Sequence, residues 1–339
     1  FLEYLESGER DPEEITFMEP QAGGACRAGN IYNLLQRVLY RMAEQGQLEY
    51  AQIPVISLNL MGEEKHTGFH ITPSLLSGGI AAACYGDLIM CLYQQVKPYE
   101  QNPGETDRIR SQVEKKLCES IRRHRNGRHT REKNYRYACE VFSKVPVTPG
   151  KKKRVGITGE IYMKYSKLGN DDIESFLLRQ GMEPYSGGFI NYCLYLVDTE
   201  RYKAEKYQHN PIMAKACAFV LHRLCEAQKH LLTVIGETDR FQTDLPFPEL
   251  KEKVQGILAE GCNTGDGWLI AAEVIQYVEK GCGSVLILHP FGCLVSHVCE
   301  RGILQRLHAR FPDVSIQTIE YDYDQSKTLR ESRILLAIS

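Results

Sequence analysis

The stretch SVLILHPFGCLVSHV, Ser284 to Val298, decides how this chain is read. Its first half is short, apolar and uninterrupted, the pattern of a strand buried on both faces. Pro290 and Gly292 then break the run, and a helix is expected over about 296–310. In open α/β sheets ligands bind outside the carboxyl ends of the strands, so Cys293 stands where a site belongs. His289 and His297 flank it, and Cys299 lies further along the expected helix on a different face. Zinc held by His289, Cys293, His297 and Cys299 is conceivable chemistry, yet their spacing matches none of the usual zinc patterns.

Outward from that stretch, helices and strands alternate. A helix is expected over about 266–279 before it, and VSIQTIEY (314–321) is a further strand after it, followed by a last helix running into Ser339. Upstream, VGITGEIYM (155–163) reads as a strand, NDDIESFLLRQG (170–181) as a helix, and helices follow over about 211–235 and 248–259. This alternation predicts an α/β chain with a doubly wound, mostly parallel sheet. The segment VPVTPGKKKR (145–154), with its prolines, glycine and charge run, reads as a linker. Two layered α/β lobes are therefore expected, 1–148 and 149–339, the second being Rossmann-like. In the first, Ile31, Leu34, Leu35, Val38 and Leu39 recur at helical spacing and IPVISLNL (53–60) reads as a buried strand. Thr72-Pro73 is a helix start, and Ile109, Val113, Leu117 and Ile121 form one stripe of a helix over about 107–123.

Composition excludes several classes. With 339 residues, 43% hydrophobic and 25% charged, the chain is neither disordered nor too small to bury a core. A net charge of −2 argues against a dedicated nucleic-acid binder. The basic runs RRHRNGRHTREKNYR (122–136) and KKKR (151–154) read as solvated faces or partner contacts, and no nucleic acid is expected. No uninterrupted apolar run approaches the roughly 20 residues of a membrane span. The acidic opening FLEYLESGERDPEE does not read as a secretory leader. A cytoplasmic chain with no membrane partner is the expectation. The last helix carries no cap signal at its end, which fits a piece of a longer protein.

The twelve cysteines, at 26, 84, 91, 118, 139, 193, 217, 225, 262, 282, 293 and 299, include no pair separated by two residues, so no compact zinc or iron–sulfur motif is present. Most sit among apolar neighbours and read as core thiols in a reducing compartment, as Cys217 and Cys225 do beside Leu221 and Leu224. Cys26 differs. It follows Gly23 and Gly24 and precedes a helix, where the positive end of the dipole favours thiolate and the glycines permit close approach. GITGE (156–160) offers amides to an anion but lacks a P-loop lysine and a third glycine, so a tight strand-to-loop turn is the better reading. No Ser-His-Asp order, HExxH or paired-carboxylate motif stands out.

Several segments occur together in order: GGACRAGNIYNLLQRVL (23–39), VKPYE (96–100), VGITGEIYMKYSKLGN (155–170), GDGWLIAAEVIQYVEKG (265–281), LHPFGCLVSHV (288–298) and IEYDYDQSKTLRESRI (319–334). In combination they resemble the C-terminal region of the large CoA-substrate-specific enzyme activases, the activator-related family of the 2-hydroxyacyl-CoA dehydratases such as the 2-hydroxyglutaryl-CoA enzyme. The resemblance runs from about Gly23 to Arg333. It implies an oxygen-sensitive [4Fe–4S] cluster held by cysteines from separate domains, and anaerobic electron transfer driven by ATP hydrolysis. By position it makes Cys26 and Cys293 the metal ligands, with Gly23, Gly24 and Gly292 lining the cofactor. It implies upstream ATPase domains or a dehydratase-like subunit as partners and a CoA ester as substrate. This chain carries no ATPase signature of its own, and no third cluster ligand follows from the match. It leaves open whether the chain is itself an enzyme. The alternative is a non-catalytic scaffold or interaction domain of the same protein, without metal.

Overall fold

The computed structural model describes residues 2–20, 26–58 and 72–339, in two compact units, Phe1–His70 and Ile71–Ser339. The chain is mixed α/β, with two small sheets among the described residues, both parallel.

The first unit contains α1 (Leu2–Glu6), β1 (Phe17–Pro20), α2 (Ile31–Glu44) and β2 (Val55–Leu58), with β1 paired to β2. Leu35 and Leu39, four residues apart on α2, fall on one face and pack with Leu5, Ile15, Phe17, Tyr50, Ile53 and Val55. The expected stripe is narrower than the sequence suggests, because Ile31 and Leu34 are exposed.

In the second unit the elements run α3 (Pro73–Val96), α4 (Glu105–Arg122), α5 (Arg128–Ser143), β3 (Arg154–Gly159), α6 (Ile161–Tyr165), α7 (Ile173–Arg179), β4 (Glu183–Tyr185), α8 (Phe189–Lys206) and α9 (Pro211–Gly236). They continue α10 (Phe247–Lys253), α11 (Gly267–Glu279), β5 (Ser284–Pro290), α12 (Arg301–Arg310), β6 (Ser315–Tyr321) and α13 (Lys327–Ile338). The sheet order is β4-β3-β5-β6. Both faces are covered, which is why the central strands lack polar alternation. Val155, Ile157, Leu286 and Leu288 pack against Ile173, Phe176 and Leu177 of α7 and Ile334 and Ile338 of α13. Val285, Ile287 and Ile316 face the other way, into a larger core with Ile270, Val274 and Ile275 of α11.

That larger core also takes Leu88 and Leu92 of α3, Val113 and Leu117 of α4, Phe142 of α5, and Leu231 and Ile235 of α9. The expected boundary at 148/149 therefore falls inside the second unit. The stripe of α4 closes on the helices that flank β3–β6. Residues 145–154 are tied down as well: Thr148 N donates to Tyr99 O at 2.7 Å, and the Tyr99 hydroxyl donates to Glu183 at 2.7 Å. The basic runs are tied in too. Arg136 pairs with Glu132 and Glu237, and Lys153 donates to the carbonyls of Ile338 and Ser339.

Thr72 caps α3 by accepting from Leu75 N at 3.1 Å, as its sequence predicts. By length and composition α3 is the one described helix long and apolar enough to cross a membrane. Its serine and glycines hide that from a search for an unbroken apolar run. In this structure Ala81, Cys84, Leu88, Leu92 and Val96 are buried in the core, and so is Asp87.

Candidate functional site

The end of β5 behaves as its sequence implies. The strand stops at Pro290, Gly292 turns the chain with a φ of +71°, and Cys293 N donates to Pro290 O at 3.2 Å. The expected helix over 296–310 begins with one π turn, Ser296–Glu300, before α12. Such a turn widens the helix and rotates the side chains that follow, and it recurs at functional sites.

Several chemically active groups meet here. Cys293 is partly exposed, and Ser296 Oγ donates to its sulfur at 3.1 Å. Burial pushes the Cys293 thiol up, with the Ser296 contact acting in the opposite direction. Cys299 is buried and pushed up to about 11, first by burial and then by the neighbouring Cys262, Glu300 and Cys293. Three thiols thus gather at this edge, one of them, Cys262, from the loop that leads into α11.

Behind the thiols lies a charged array. His289, at the end of β5, is wholly buried, and so is Glu300. His289 Nδ1 lies 3.2 Å from Glu300 Oε2, and Nε2 lies 3.4 Å from Glu320 Oε2. The register that pairs His289 with Glu320 across β5 and β6 puts these two side chains on one face of the sheet. His297 reaches the same carboxylate, Nε2 at 3.5 Å, while its Nδ1 donates to Cys293 O at 2.7 Å. Arg301 donates to Glu320 Oε2 at 3.0 Å. One potential ligand atom each from His289, His297 and Glu320 lies within 4.8 Å of the others. Among the described residues, neither ring nitrogen of His289 and neither oxygen of Glu300 has a hydrogen-bond partner.

More acid surrounds this array. Burial raises Glu160, at the end of β3, and Glu300 adds like-charge repulsion. Asp266 is raised well above the carboxylate range, first by burial and then by Glu160, Glu300 and Glu273. A deeper acid is matched: Lys164 Nζ sits 2.7 and 2.8 Å from the two oxygens of Glu273, which also accepts from Thr158 Oγ1 at 2.6 Å.

GITGE is a strand-to-loop turn. Gly159 has a φ of +131°, and a Cβ there would lie 2.0 Å from Leu288 O, so the residue lets β3 and β5 approach. The amide that might meet an anion is taken, since Glu160 N donates to Leu288 O at 2.8 Å.

Of the residues singled out by sequence, Cys293 and Gly292 lie at this edge in the second unit, and Cys26 lies in the first. Gly23 and Gly24 fall outside the described residues. Cys26 stands one 3-10 turn, Arg27–Asn30, ahead of α2, so it is not directly at that helix's end. The four-residue zinc grouping is corrected: the two histidines converge on Glu320, whereas Cys293 contacts Ser296 and Cys299 is buried. Glu320 and Glu300 escaped notice in the sequence. The rule that located Cys293 would have found Glu320, one residue before the end of the neighbouring strand. Glu300 carries no comparable signal.

The remaining thiols are mostly structural. Cys84, Cys139 and Cys282 belong to the large core, and Cys225 packs against it. Burial pushes Cys84 up to about 11 and Cys282 to about 12, which keeps both protonated and unreactive at neutral pH.

No protein-family model, curated protein or solved structure matches this chain.

Proposed function

We propose that the chain is an iron–sulfur electron-transfer or reductase-like module of a protein related to the CoA-substrate-specific activases and 2-hydroxyacyl-CoA dehydratases. The observation that carries this reading is the position of Cys293: a partly exposed thiol on a tight turn past the carboxyl end of a central parallel strand, with Cys299 and Cys262 close by. Thiolates are the standard protein ligands of such clusters, so the donor chemistry at this edge fits. We read β4-β3-β5-β6 with its flanking helices as one doubly wound lobe, whose carboxyl edge is the expected place for a cofactor.

Cys293 and Cys26 would be ligands of a [4Fe–4S] cluster. A bound cluster supplies single electrons at low potential. The chain's part is to present thiols, position them and tune them. Burial that keeps Cys293 protonated when free means that iron binding releases its proton. Gly292, and on the same reading Gly23 and Gly24, would keep side chains away from the cofactor. Upstream ATPase domains or a dehydratase-like subunit would be the electron partners, a CoA ester the eventual substrate, and the cytoplasm the compartment.

The test is anaerobic reconstitution with ferrous iron and sulfide. The parent chain should turn brown with broad visible absorption, and Cys26→Ser and Cys293→Ser should each lose that colour. Variants as brown as the parent would overturn the ligand assignment. A parent that takes up no iron would favour the metal-free scaffold.

A further inference from the structure

We propose that His289, His297 and Glu320 form a mononuclear site for a divalent transition metal, of the two-histidine, one-carboxylate kind, distinct from any thiolate-bound cluster. Imidazole nitrogen with one carboxylate is a donor set that suits Zn2+ and Fe2+.

The spacing agrees. A zinc ion with bonds of about 2.0–2.1 Å holds tetrahedral neighbours about 3.3–3.4 Å apart. Glu320 Oε2 lies 3.4 Å from His289 Nε2 and 3.5 Å from His297 Nε2. Glu320 therefore already stands at about ligand-to-ligand distance from each histidine, and all three ligand atoms lie within 4.8 Å of one another.

The outer contacts orient both rings. A metal-binding histidine usually gives its other N–H to a carboxylate or carbonyl, which fixes the tautomer and leaves the facing nitrogen with its lone pair. His297 does this through Nδ1 to Cys293 O at 2.7 Å. His289 Nδ1 faces Glu300 at 3.2 Å. Both Nε2 atoms are thereby left towards Glu320. Two ligands sit on neighbouring strands in direct register and the third on the π turn, so the positions rest on rigid backbone.

An independent observation points to a missing ligand. His289 and Glu300 are each 0% exposed, yet their four polar side-chain atoms have no hydrogen-bond partner among the described residues. Leaving buried polar atoms in that state is destabilising. A cation on His289 Nε2 would relieve one directly and would place the ring's remaining N–H on Nδ1, 3.2 Å from Glu300 Oε2. It would also offset the acid gathered at this edge. Arg301 shares Glu320 Oε2, but a carboxylate offers about four acceptor positions, so that contact steadies Glu320 and leaves it able to bind. The His297 and Glu320 side chains are 35% and 25% exposed, which gives an ion a path from solvent.

The experiment uses the full chain after chelator treatment, titrated separately with Zn2+ by calorimetry and with Co2+ by absorption spectroscopy. The site should take up about one ion per chain, and the Co2+ form should show visible d–d bands without an intense near-ultraviolet thiolate band. His297→Ala and Glu320→Ala, at partly exposed positions, should each weaken binding at least about tenfold, with circular dichroism confirming that both fold. Cys293→Ser should bind as the parent does. This last result keeps the site separate from the proposed cluster, whose loss in the same variant is read by iron and colour. Three outcomes overturn the proposal: no uptake by the parent, uptake unchanged in both ligand variants, or a thiolate band that disappears in Cys293→Ser.

Discussion

Lys164→Met would strand a buried carboxylate. In the folded chain Lys164 Nζ lies 2.7 and 2.8 Å from the oxygens of Glu273, and the two side chains are 3% and 4% exposed. At an effective dielectric of about 20, a pair at that separation attracts by about 6 kcal/mol. Desolvation of the two ions cancels much of that gain, so the pair as a whole contributes little. Removing one partner is different: it leaves an uncompensated charge and costs about 3–5 kcal/mol. Lys164→Met should therefore lose about 3–5 kcal/mol at pH 7, and Lys164→Met with Glu273→Leu should lose clearly less. Urea unfolding followed by circular dichroism reads both. A single variant within about 1 kcal/mol of the parent, as an exposed pair would give, would refute the reasoning. So would a double variant as unstable as the single.

Two further outcomes follow from the same packing. Gly159→Ala should cost at least about 3 kcal/mol in thermal unfolding, since its Cβ would lie 2.0 Å from Leu288 O at a φ of +131°. Gly256→Ala, also at positive φ but with open space around it, should cost about 1 kcal/mol, and equal losses would sink the steric account. Asp87 is raised to about 7, first by burial and then against the bonds it accepts from Ile190 N and Phe189 N. A raised carboxyl holds its proton in the folded chain after the unfolded chain has released it, so its contribution is full below about pH 4 and lost as pH rises through 7. Stability should fall by up to about 1.4 kcal/mol per pH unit across that window. Asp87→Asn should flatten the fall, and an unchanged slope in urea unfolding would contradict it.

What the sequence disclosed follows from where its signals are local. SVLILHP and VSIQTIEY are short apolar runs with breaks beside them, and they become β5 and β6 within a residue. The helices over 211–236 and 267–279 were legible from length and periodicity. The strand Glu183–Tyr185 was not, because three residues carry no period and pair with only one neighbour. α5 was hidden by its basic composition, as its buried face shows only Asn134, Tyr135, Ala138, Cys139 and Phe142. The split at 70/71 escaped because the proline and charge run at 145–154 looked like the stronger break, whereas the deciding fact is a core shared across it. At the site, Cys293, His289 and His297 were visible in one segment. Their convergence on Glu320 depends on strand register, which is non-local and absent from spacing.

Iron and acid-labile sulfide measured on the full chain, purified and reconstituted without oxygen, test the central claim most directly. The account predicts about four of each per chain, as a [4Fe–4S] cluster holds, falling towards zero in Cys293→Ser. A parent chain that stays free of iron, or a Cys293→Ser chain that keeps its full complement, would contradict it.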